Sequence, residues 1–108
     1  MANLIKIDLS ELGEGQYVEI KDPKIMPYGF QKQLQEKFKN DSIDSIFGGT
    51  EFAVLKLIKN GYVLDEDDNP IPFPINAESL LLLPMLAINT VMLKYGEIAK
   101  QGANIPNA

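Results

Sequence analysis

The stretch Leu4-Ile-Lys-Ile-Asp-Leu9, followed after a Gly13-Glu-Gly15 turn by Tyr17-Val-Glu-Ile-Lys-Asp22, decides the fold. In the first run Ile5, Ile7 and Leu9 alternate with polar residues, and in the second Val18 and Ile20 do the same. A period of two places one set of side chains on a single face of a strand, so each run reads as a half-buried strand. Together they read as an antiparallel β-hairpin over residues 1–22. Two strands alone are marginal in water and need a further layer over their apolar face. The expected fold class is therefore α+β: an N-terminal antiparallel β-hairpin packed on a small bundle of three to four helices, one domain over residues 1–108.

Working outward, Pro23 and Pro27 end the second strand, since neither can donate to a ladder. A helix is predicted from Tyr28 to Lys39, with Phe30, Leu34 and Phe38 as its apolar stripe. Ile43, Ile46 and Phe47 read as a single helical turn stopped by Gly48-Gly49. The next segment, Thr50 to Gly61, reads as a core helix. Thr50 caps its start, Glu51 suits the positive dipole end, Lys59 falls in the last turn and Gly61 follows as a left-handed C-cap residue. Phe52, Val54, Leu55 and Ile58 would face inward, making residues 28–60 the helical part.

Residues 62–75 form a Pro-rich arm, two short extended pieces around the turn Asp67-Asp-Asn-Pro70. Pro70, Pro72 and Pro74 hold the second piece extended, with Ile71, Phe73 and Ile75 projecting one way. This stiff apolar finger is either draped on the helices or offered to a partner. Asn76 then caps a short turn at Ala77–Leu82, and Pro84 opens a fresh helix, because a mid-helix Pro costs about 3 kcal/mol. Within residues 77–100 a seam of Met85, Ile88, Met92, Tyr95 and Ala99 recurs at spacings of three and four. Leu86, Val91, Leu93 and Ile98 add a second strip beside it. One helix does not easily bury both strips in a small domain, which points to a homo-oligomer or a hydrophobic protein partner. The alternative is a helix surrounded by its own domain. The polar end, residues 101–108, is expected to fray.

Composition narrows the function classes. The 108 residues include no His, Cys, Arg or Trp, and the formal charge is −5. An acidic chain without Arg is a poor nucleic-acid binder, since phosphates and guanine edges call for clustered basic side chains. Without Cys there is no disulfide, which fits a reducing cytoplasm. The start, Met1 to Asp8, has no long apolar core behind a basic residue, so no signal peptide is read there. The apolar run Leu80–Leu93 is broken by Pro84, Asn89 and Thr90, and at about 14 residues it falls short of the roughly 20 needed to span a bilayer. No membrane segment is expected.

Three constellations bear on chemistry. Asp65, Asp67 and Asn69 match the first ligands of a calcium loop, but Pro70 stands where Gly is required and Asn76 where a bidentate Glu is required. The carboxylate pairs Asp41/Asp44 and Glu11/Glu14 lie in polar stretches without the burial that makes a useful acid. Phe47-Gly-Gly-Thr50 lacks the Lys of a phosphate loop. A Ser or Thr nucleophile would lack a His base. No catalytic, cofactor or metal-binding residues follow. The candidate functional residues are partner contacts: Met85, Ile88, Met92 and Tyr95 on the last helix, with Ile71 and Phe73 of the arm. Methionine suits such a surface because its flexible thioether adapts to varied shapes.

The order of pieces resembles the small tail assembly chaperones of long-tailed bacteriophages and prophages. The resemblance lies in Tyr17-Val-Glu-Ile-Lys-Asp-Pro-Lys24 after an N-terminal strand, then a polar helix. It continues in the arm from Tyr62 to Pro74 and in a terminal Leu-rich helix after Leu82-Leu-Pro84. It spans about residues 3–100 and includes no catalytic signature. It implies a non-enzymatic protein of the bacterial host cytoplasm, absent from the finished virion. Such a protein coats the tape-measure protein and helps recruit tail-tube subunits. A structural head–tail connector or neck protein, and a small carboxylate-based enzyme, are the competing expectations.

Overall fold

A computed structural model describes residues 4–40 and 42–103, with side chains as far as Ala99. Strands β1 (Leu4–Asp8) and β2 (Tyr17–Lys21) form the expected hairpin. A 3-10 turn at Pro23–Ile25, capped by the Asp22 carboxylate, leads into α1 (Tyr28–Lys37). Helix α2 (Ile43–Leu57) runs directly into β3 (Ile58–Tyr62). The arm follows, then a short α3 (Ala77–Leu80) and the long α4 (Met85–Ala103). The class is α+β, with an antiparallel sheet ordered β1-β2-β3 and helices packed against it.

The third strand is a departure from the sequence reading, and its register explains how it was hidden. Val18 and Ile20 of β2 are fully buried, so whatever lies opposite them must also be apolar or small. Val18 faces Gly61 and Glu19 faces Asn60, but the register then slips so that Ile20 faces Ile58. The slip is a β-bulge that steps over Lys59. Without it, the Lys59 ammonium would stand opposite Ile20 on the core face. The bulge turns Lys59 outward and Ile58 inward, and a segment with helical periodicity on paper becomes an edge strand.

Gly61 consequently has a different role from the one its position suggests. It is not a left-handed residue after a helix; it sits within β3 at a point of close approach. A Cβ there would lie 2.8 Å from the Tyr17 carbonyl oxygen, 3.1 Å from Val18 Cα and 3.1 Å from the Phe73 ring. The bare glycine lets the arm fold over the sheet.

Helix α2 also starts earlier than expected. Ser42, not Thr50, caps it: the Ser42 hydroxyl accepts from the Ser45 N–H at 3.1 Å, and Asn40 Oδ1 accepts from the Ser42 N–H at 2.9 Å. The Ser45 hydroxyl donates to the Lys37 carbonyl, tying the helix to the end of α1. The helix continues through Gly48-Gly49 because the second glycine is useful: Gly49 is buried and the Phe38 ring lies over it. The core gathers Ile7 and Leu9, Val18 and Ile20, and Phe30 and Leu34 of α1. Ala53, Val54 and Leu57 of α2 join Ala87 and Val91 of α4 in the same cluster. On the α1–α4 side Phe30 stacks on Phe52 at 5.6 Å and meets Tyr95 edge-on at 6.0 Å.

The arm is itself a small antiparallel loop. The Ile71 N–H donates to the Val63 carbonyl at 2.9 Å, and Leu64 bridges Pro70. Asp65 Oδ1 accepts from the Asp67 and Asn69 N–H groups, both at 2.9 Å, and Asp68 takes a positive φ of 64°. The arm is stitched to the hairpin by Gln16, a buried side chain whose Oε1 accepts from the Leu64 N–H at 3.1 Å. Asn76 caps α3 as expected, in a capping box with Ser79. Pro84 stands immediately before α4, and its carbonyl accepts from the Ala87 and Ile88 N–H groups. Residues 101–103, expected to fray, belong to α4; the rest of that expected tail lies outside the described residues.

Candidate protein-docking site

Helix α4 buries a narrow line, Ala87 and Val91, against the core. Ile88, Met92, Tyr95 and Ala99 of the expected seam are half-buried at the edge of that line. Ile88, Met92 and Tyr95 pack against the domain's own core, and burial pushes the Tyr95 phenol above its ordinary pKa. Met85 differs: it is 79% exposed. The second strip is divided in the same way, with Val91 fully buried and Leu93 69% exposed. In the arm, Ile71 is 4% exposed and belongs to the core, while Phe73 is half-buried over Gly61. The finger is draped on its own domain, not extended away from it. Of the residues expected to meet a partner, Met85 is the one the fold leaves open, with Ile88 beside it.

Met85 has neighbours that sequence reasoning did not connect with it. Ile46 and Phe47 of α2, Leu80 and Leu81 of the α3 turn, and Met85 and Ile88 of α4 line a groove of 410 Å³. Thr50, Glu51, Val54 and Asn89 complete the lining, so the surface is apolar with one charge at its rim. Phe47 is 61% exposed, Leu81 74% and Ile46 46%. Ile43, one turn before Phe47, is also exposed. Large apolar side chains clustered in this manner on a small domain make this groove the candidate interaction surface.

The local sequence explains this geometry. The capping box at Asn76 and the tight turns closing at Leu81, Leu82 and Leu83 swing the chain between α3 and α4. Leu80 and Leu83 fall inside, whereas Leu81 and Leu82 are turned out. Pro84 then sets the start of α4 so that Met85 stands at its mouth. On the opposite wall, the unbroken passage of α2 through Gly48-Gly49 places Ile46 and Phe47 on a rigid helix. Had those glycines ended the helix, this wall would be a loop. Once α2 is known to be continuous, the spacing Ile43, Ile46, Phe47, Thr50, Val54 is the signal that would have found it.

A second hollow of 440 Å³ adjoins the first across Leu81 and Met85, which line both. Its other wall is the acidic turn Asp65, Glu66, Asp67 and Asp68, and no Lys lines it. The calcium-loop resemblance of this turn has a local explanation, because Asp65 Oδ1 holds two backbone N–H groups of the turn itself. Among the described residues no group of three or more acidic side chains is placed to hold a metal ion. Glu11 and Glu14 are both exposed; Asp41 of the other carboxylate pair lies outside the described residues. Among the described residues no helix is long and apolar enough to cross a membrane. No family model, no curated protein and no solved structure matches the chain.

Proposed function

We propose that this chain is a non-enzymatic protein-binding module that works as a tail assembly chaperone in the cytoplasm of a bacterial host. It shields apolar helical surface on the tape-measure protein and helps recruit tail-tube subunits. The observation that carries the protein-binding part is the groove lined by Ile46, Phe47, Leu81 and Met85, apolar and open to solvent. Covering a Phe or Met side chain completely is worth about 1.5–3 kcal/mol, so a few such anchors suffice for specific association. The chaperone part rests on the resemblance in strand, arm and terminal helix.

Co-expression with a phage tape-measure protein tests the reading. Co-purification is expected, with loss of the complex on Met85→Asp or Phe47→Asp. The chain should be missing from purified particles; a connector would be retained in them. Failure to co-purify would overturn the chaperone assignment.

A further inference from the structure

The groove and the acidic turn are neighbours, and their junction says what kind of partner fits. Leu81 and Met85 form a ridge shared by both hollows, with apolar Ile46 and Phe47 on one side and carboxylates on the other. Glu66, Asp67 and Asp68 are exposed, and among the described residues the ion pair present is Lys94–Glu97 on α4, not one involving this turn. Glu51 adds a carboxylate at the groove's rim, and neither hollow is lined by a cation. A ligand seated on the apolar ridge therefore meets uncompensated negative charge where it leaves the groove.

We propose that groove and turn act as one docking surface for an amphipathic helix of another protein, its apolar stripe running into a cluster of Lys or Arg. The apolar stripe anchors on Phe47 and Met85, in the helix-in-groove manner. The basic cluster faces Glu66, Asp67 and Asp68 and sets orientation and partner choice more than raw affinity. This inference rests on the protein-binding reading and adds the partner's charge pattern to it.

The test uses the whole chain and two labelled synthetic helices of about 18 residues, long enough to hold helical structure. Both carry the same Leu stripe; one ends in a run of Lys, the other in a run of Glu. In low salt the Lys-ended peptide should bind about tenfold more tightly, and the difference should shrink in molar salt as the charges are screened. Neutralising the turn with Glu66→Gln, Asp67→Asn and Asp68→Asn should remove the difference while the Leu stripe still binds. Asp65 is left intact because it holds the turn together, and Asn tolerates the positive φ at position 68. Phe47→Asp should abolish binding of both peptides without changing the circular dichroism spectrum.

Equal binding of the two peptides, a preference that survives the neutral turn, or no binding of either would overturn the inference. So would sedimentation showing a dimer that Met85→Asp dissolves, because a second copy would then cover the groove. The chaperone reading fails separately. Lys-selective peptide binding without tape-measure co-purification would retain this surface and discard that partner. Co-purification that is lost on Phe47→Asp but indifferent to the neutral turn would do the reverse.

Discussion

At the scale of single residues, the glycines carry opposite predictions that composition alone does not distinguish. At Gly61 a Cβ would press on the backbone of β2, the central strand of the sheet. Gly61→Ala should lower stability by about 2–3 kcal/mol in chemical denaturation, as overpacking and strand displacement combine. Gly48 is exposed within α2 with open space around the position of a Cβ. Gly48→Ala should raise stability by about 0.5–1 kcal/mol through helix propensity alone. Gln16→Leu should cost about 1–3 kcal/mol, because the Leu64 N–H loses its acceptor in a part-buried place. An unchanged unfolding midpoint for Gln16→Leu would mean that water replaces the amide.

At the scale of elements, the decisive features are the ends. Helix α2 has an N-cap at Ser42 and hands its C-terminus to β3, so helix and strand share one uninterrupted segment. The bulge at Lys59 lets a single chain serve first the helical period and then the period of two. The α3 capping box is the corresponding device before the groove. Asn76→Ala removes the acceptor of the Glu78 and Ser79 N–H groups. It should lower stability by about 1 kcal/mol and loosen Leu81 and Met85, seen as faster amide exchange across residues 78–86. Protection in that segment equal to the wild type would show that packing of Leu80 and Leu83, not the cap, holds the turn.

At the scale of the whole molecule, the aromatic contacts joining α1, α2 and α4 give an alkaline signature. Burial raises the Tyr95 pKa, so ionisation is disfavoured in the folded state. Below about pH 10 the phenol is neutral in both states and no stability is lost. As pH rises beyond that, the unfolded chain releases the proton first, and stability falls until the folded phenol also ionises. Tyr95→Phe should make the melting temperature fall less steeply above pH 10, with the lysine contribution common to both proteins. Identical slopes would mean that the phenol titrates alike in the folded and unfolded chain.

Much of this architecture is legible in residues that act locally. The hairpin follows from alternation at Ile5, Ile7, Val18 and Ile20, the α3 cap from Asn76, and the α4 start from Pro84, because neighbouring residues determine each. Tertiary structure alone decided the rest. Whether Gly48-Gly49 ends or continues a helix depends on Phe38 lying over Gly49, and whether Lys59 belongs to a helix or a bulge depends on Val18 and Ile20 across the sheet. The groove is the same kind of result. Met85 was legible as an apolar residue with no assigned cover, but its companions Ile46 and Phe47 are about forty positions away. Periodicity reports the face a residue shares with its own element, whereas packing decides which faces of different elements meet and which are left open.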